Sequence, residues 1–288
     1  MKSSSRQILG SLSNSDTGFL ALLRKQFKSN MYLLCQMAYI MTTAVFLLIW
    51  HSRATHRFSL RAFAIFLALC CLSLIYGRFF IKRTSLSFKV AHSLSLQLLC
   101  GYLVISIVLL LLLFFTPIGI ELSVAIVAGA GLLILFACRG TARGIRKPAD
   151  HLPDFLCLLL SGVAATLWCT DALRPTVRDG PLTIYQTFSD SFFHSRVISS
   201  VAQAHGVKTM SAMQMSGQVP PMYQYAIYVT PAAVSGLTKS SAYIAFVSFL
   251  VPFGILLSGL VAFSLAASTW GQWPGIAATL TVTLLPDA

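Results

Sequence analysis

The sequence predicts an all-α, polytopic integral membrane protein with about seven to eight transmembrane helices and one long outer loop carrying an interfacial helix. Three observations support this. Of the 288 residues, 56% are hydrophobic and only 10% charged, whereas a soluble domain carries about 25% charged residues. The apolar residues gather into runs near the roughly 20 residues that a membrane helix needs. The net charge of +13 sits mostly in short stretches between those runs. Topology and lipid headgroups account for it there better than nucleic acid, which is excluded as a partner.

The first 30 residues contain no apolar core long enough for a secretory signal and no small-residue cleavage site. They read as a cytoplasmic tail in which "GFLALLRKQF" suits a short amphipathic surface helix. Residues 31–154 form an N-terminal four-helix membrane region, with spans at 31–50, 62–77 plus its flanks, 94–116 and 120–138. Within it, the Leu-rich stretch 108–115 reads as lipid-facing bulk. Ala125 and Gly129, four apart, suit close helix packing. A second region, 155–288, opens with a span at 155–169 and continues through the outer loop 170–222. A weaker span at 223–237 and a strong one at 242–268 follow, and Pro231 and Pro252 within them mark kinks. The last apolar run, 274–285, reaches only about 18 Å at about 1.5 Å per residue. That is short of a hydrocarbon core of about 30 Å, so this region reads as incomplete at its C-terminal end.

Orientation follows from Lys and Arg. With the N-terminus in the cytoplasm, the inner side carries fourteen: Lys2, Arg6, Arg24, Lys25, Lys28, four each in 78–89 and 139–147, and Lys239. The outer side carries seven: Arg53, Arg57, Arg61, Arg174, Arg178, Arg196 and Lys208. The bias favours a cytoplasmic N-terminus in a plasma (inner) membrane, with the 51–61 loop as an exception.

The seven cysteines lie in or beside apolar segments, with no CxxC pair and no histidine at metal spacing. They read as small buried hydrophobes. No Walker loop, HExxH or nucleophile elbow is present. A divalent metal therefore has no support in the sequence.

The chemistry-bearing residues concentrate in the outer loop, at "TFSDSFFHSR" (187–196). Read as a helix, 191–205 places Phe193, Val197, Ile198, Val201 and Ala204 on one arc and Ser195, Arg196, Ser199, Ser200 and Gln203 on the other. Phe192 is the one large apolar residue on the polar side. This predicts a helix lying along the outer membrane surface, ended by Gly206. Asp190 has two readings. With Ser189 it can cap the helix N-terminus, or it can act as a base that takes a proton from a hydroxyl substrate. His194 is one turn from Asp190 and can orient it or bind substrate; the plainer reading is an interfacial histidine with a satisfied hydrogen bond. His194 and His205 are about 16 Å apart along a helix, too far to share a metal. Arg196 and Lys208 can meet an anionic phosphate, or are simply solvated charges.

The order of features, an acid followed by aromatics ("SDSFFH"), a helix ending in glycine ("RVISSVAQAHG") and a proline–tyrosine stretch ("SGQVPPMYQYAIY") opening a span, resembles the first outer loop of the GT-C superfamily of polytopic glycosyltransferases, such as dolichyl-phosphate-mannose mannosyltransferase-like proteins. The resemblance covers about 155–270. It implies a loop acid that is the catalytic base or a metal-site acid, here Asp190 as base, a tyrosine stretch carrying Tyr223 and Tyr225, and a lipid-linked sugar donor; with His194, Arg196 and Lys208 the two tyrosines make up the candidate substrate-binding residues. It also implies further helices beyond this chain. The chain departs from the pattern at Ser191, where many members carry a second acid, and at Gln224, where a histidine is expected. Two other readings belong to different classes: a membrane transporter or lipid-linked-glycan flippase, and a non-catalytic membrane subunit. The confident spans are almost free of charge, which disfavours the transporter.

Overall fold

The computed structural model describes residues 31–84, 93–137, 151–173, 175–179, 182–185, 189–204 and 225–285, with backbone alone over 175–190. Its helices are α1 (Met31–Thr55), α2 (Leu60–Arg83), α3 (Leu94–Phe115), α4 (Ile120–Ala137), α5 (Leu152–Trp168), α6 (Ser189–Gln203), α7 (Ala226–Thr238), α8 (Ala242–Thr269) and α9 (Gln272–Leu284). Between α5 and α6 stands an antiparallel hairpin that the sequence reading did not anticipate, β1 (Pro175–Asp179) with β2 (Leu182–Tyr185). Its signal is there in hindsight: Gly180–Pro181 separates two short stretches that contain β-branched residues.

Among the described residues, five helices, α1 to α4 and α8, are long and apolar enough to cross a membrane. That is fewer than the seven or eight expected, because α5, α7 and α9 have 17, 13 and 13 residues. Helix starts are set locally. The Ser59, Ser93 and Ser241 hydroxyls accept from the backbone N–H of Ala62, Leu96 and Ile244, satisfying donors that a helix leaves open at its first turn. Helix α7 closes on Lys239 in the left-handed conformation, φ 57°. In α8 the ladder widens to a π turn over Phe246–Leu250, just before Pro252. Proline has no N–H to donate, so the displaced bonding gathers in the turn ahead of it.

The starts of α1, α3 and α5 and the last turns of α2 share one end of the bundle, here the near end. Ser93 and Ser95 contact Asp154, Tyr32 packs on His151, and Arg78 lies over Tyr32. At the opposite, far end, Arg61 Nε donates to the Leu237 carbonyl at 2.6 Å and Lys239 pairs with Glu121 at 3.0 Å. Lys239 therefore lies with the starts of α2 and α4, opposite the end assigned to it from sequence. Helix α7 is too short to carry the chain across, and α8 begins at the far end.

Helices α2 and α3 approach each other backbone to backbone. A Cβ added at Gly101 would fall on the Ser73 carbonyl and 2.7 Å from Gly77 N, and one added at Gly77 would fall on the Gln97 carbonyl. Ser73 and Gly77 on one helix, and Gln97 and Gly101 on the other, thus let two backbones touch. Ala125 and Gly129, the pair expected to do this, are exposed, and nothing lies within 4 Å of a Cβ at Gly129. The face of α4 that packs runs instead through Ile120, Ser123, Val127 and Gly131, where the Tyr76 hydroxyl donates to the Val127 carbonyl at 2.7 Å. The Leu-rich stretch of α3 is likewise two-sided: Leu109 and Leu113 are buried, Leu111 and Phe115 exposed.

Two cores result. One joins α1, α2, α3, α5 and α8 around Tyr39, Trp50, Phe66, Phe249 and Phe253; the other joins α3, α4, α6 and α7 around Ile105, Val127, Ile198, Tyr228 and Val229. Of the described cysteines, Cys70, Cys157 and Cys169 are buried and Cys35, Cys71 and Cys100 half-buried, all as free thiols.

Candidate functional site

Helix α6 forms where the outer-loop pattern places it, but its apolar arc is covered by protein. Val197, Ile198, Val201 and Ala204 are buried in the second core with Tyr225, Tyr228 and Val229 of α7. This corrects the expectation of a helix resting on the lipid surface. An apolar arc carries the same signature whether lipid or a neighbouring helix covers it. The polar side fits the expectation, with Arg196 exposed and Phe192 62% exposed.

His194 is the residue that ties α6 to its neighbours. Its Nδ1 is 2.6 Å from the Tyr228 hydroxyl, and its ring stacks on Phe246 of α8 with centroids 5.1 Å apart and planes 17° apart. Phe193 meets the same ring edge-on at 5.4 Å. Asp190 stands one turn earlier in the backbone of α6; its side chain is outside the described residues, as are Lys208 and Tyr223 altogether. Tyr225 precedes the first residue of α7 and is 7% exposed, one turn before Tyr228. The structure thus brings His194 and Tyr225 onto two packed helices and leaves Arg196 on the open side. Tyr228 was missed from sequence. Its signal was the i, i+3 spacing of Tyr225 and Tyr228, which puts both on one helix face.

The hydrogen bond between His194 and Tyr228 is short and largely desolvated, since Tyr228 is 1% exposed. Tyr228→Phe should cost about 1–3 kcal/mol by stranding the histidine nitrogen, read from the denaturation midpoint of the purified chain. A midpoint unchanged from the parent would show that this bond does not anchor α6.

A second polar centre, also not foreseen, lies at the near end. Asp154 Oδ1 accepts from Ser93 Oγ at 2.5 Å and from the Ser95 backbone N–H at 3.0 Å. Its Oδ2 is 3.6 Å from His151 Nδ1, and Ser95 Oγ is 3.1 Å from the Tyr39 hydroxyl. All five residues are buried. Asp154 lies in the first turn of α5, and Ser93 caps α3. Two helix N-termini therefore converge on one carboxylate, which suits their positive ends. Pro153–Asp154 at the head of an apolar run was the available signal. Among the described residues, no three His, Cys, Asp or Glu side chains converge as metal ligands would.

Fold and composition define a multi-pass α-helical membrane protein, in which Asp154 gathers α3 and α5 at the near end and His194 ties α6 to α7 and α8. No known protein family, curated protein or solved structure matches the chain.

Proposed function

We propose that this chain is a membrane glycosyltransferase-like protein of GT-C type, or a membrane region of one, using a lipid-phosphate-linked sugar donor. In this reading the near end is cytoplasmic, and the far end, with the loop that carries α6, faces outward from a plasma (inner) membrane. Asp190 takes the proton of an acceptor hydroxyl as that oxygen attacks the anomeric carbon, and the lipid phosphate departs with the bonding electrons. Arg196 and Lys208 are the cations on offer to the departing phosphate. Tyr223 and Tyr225 flank the sugar site.

The observation that supports this is the anchoring of α6. The helix that carries Asp190 is pinned one turn further on by His194 to Tyr228 and Phe246. A base works when its support holds it within hydrogen-bond reach of the proton. In membranes supplied with a polyprenyl-phosphate-mannose donor and acceptor, Asp190→Asn should lower transfer by about 10²-fold or more, with expression unchanged. Full transfer by the Asn variant would remove Asp190 from the chemistry.

The buried Asp154–His151 pair favours a second reading, a transporter or flippase for lipid-linked glycans, because ionisable residues inside a helical bundle are the mark of such pathways. Reconstituted vesicles separate the two. A labelled lipid-linked sugar that crosses the bilayer intact indicates a flippase, whereas cleavage of its phosphate–sugar bond indicates a transferase.

A further inference from the structure

At the near end, α1, α2 and α4 leave a pocket of about 300 Å³ between them, the lower edge of the roughly 300–1,000 Å³ typical of ligand sites. Its lining is divided. Ile40, Leu74 and Ile134 belong to the apolar lining, whereas Gln36, Arg78 and Lys82 are polar or cationic, and among the described residues no carboxylate lines it. Arg78 and Lys82 are four apart on α2, so both cations stand on one helix face, with Lys82 in the last turn. Arg78 is half-buried, its guanidinium 5.8 Å from the centre of the Tyr32 ring. The Tyr32 hydroxyl accepts from Gln36 Nε2 at 3.0 Å, which links Gln36 to the ring beneath Arg78.

We infer that this pocket binds one anionic phospholipid of the near-end leaflet, its phosphate held by Arg78 and Lys82 and part of an acyl chain laid along Ile40, Leu74 and Ile134. The argument is charge complementarity joined to shape. Two cations stand on the helix face that ends at the membrane boundary, and the apolar wall runs from them toward the bilayer interior. Basic pockets between membrane helices select anionic headgroups for this reason, each cation near the surface contributing attraction that a zwitterionic headgroup does not return. The site is at the opposite end from α6 and is independent of the proposed transfer chemistry.

The test uses the purified full chain in a neutral detergent, with phosphatidylglycerol and phosphatidylcholine as probes, read by native mass spectrometry and by thermal unfolding. One phosphatidylglycerol per chain should be retained at least about tenfold more tightly than phosphatidylcholine. It should also raise the unfolding temperature in a concentration-dependent way. The double substitution Arg78→Gln, Lys82→Gln should abolish the preference. Ile134→Trp, which fills the apolar wall and leaves both cations in place, should weaken phosphatidylglycerol binding on its own and keeps the proposal testable if the double variant does not fold. Equal retention of the two lipids, or a preference that survives both variants, would overturn it. So would stabilisation by inorganic phosphate equal to that by phosphatidylglycerol, since that would assign the cations to a soluble anion.

Discussion

Gly101→Ala will destabilise the chain by at least about 3 kcal/mol, beyond the usual cost of an added core methyl group. The reason is the nature of the neighbour. The new Cβ would meet the Ser73 carbonyl and Gly77 N, which are backbone atoms of α2. A side chain can rotate out of the way; a helix backbone cannot, so α2 and α3 must separate. Separation would loosen the first core, to which both helices contribute through Phe66, Leu74, Leu98 and Tyr102. Gly129→Ala is the matched control. It too lies within a membrane-length helix, but its Cβ would meet nothing within 4 Å. Only helix propensity changes there, and the variant should gain up to about 1 kcal/mol. Denaturation midpoints of the two purified variants in the same detergent check the contrast. Equal midpoints would mean that the α2–α3 backbone contact is not a feature of the folded chain.

Asp154→Ala should cost about 3–5 kcal/mol, the range for removing one partner of a buried charged cluster. The substitution leaves the Ser93 hydroxyl and the Ser95 N–H without the oxygen that both use. It also removes the charge facing two helix N-termini. Asp154→Asn should fall between alanine and the parent. Its amide oxygen still accepts from Ser95, but it brings no charge to the helix ends or to His151. The same denaturation series reads both variants, and an alanine variant as stable as the parent would refute the clamp. Loss should also show locally, as faster amide hydrogen exchange in the first turns of α3 and α5 than in α4, which has no direct hydrogen bond to Asp154.

The site and the scaffold were legible to different degrees. The helices from 31 to 137 and 242 to 269 were readable within a few residues, because a lipid environment demands long, nearly uninterrupted apolar runs. Helix α6 was readable because its polar and apolar residues separate at the helical period. What covers its apolar arc was not, since Val197, Ile198 and Val201 would look the same beneath lipid as beneath α7. Lys239 was placed at the wrong end because residues 223–237 have span-like composition. The contacts with Glu121 and Arg61 show that the segment stops short of a crossing. Asp154 escaped notice for a related reason. One acid at the head of an apolar run reads as a helix start, and nothing in its neighbours in sequence announces Ser93 and Ser95, about sixty residues away.

The sequence by itself determined that this is a multi-pass helical membrane protein and where most of its helices lie, and it marked α6 as the segment with the most chemistry to offer. These are properties of single segments, set by hydropathy, periodicity and capping. Tertiary structure alone decided which glycines carry the packing, which face of α6 is covered, and which end of the bundle Lys239 joins. It alone assembled the Asp154 and His194 centres. Each of those outcomes depends on two or more segments meeting, and membrane helices meet through small residues, shape and a few polar contacts rather than through hydrophobicity, which is nearly uniform along them.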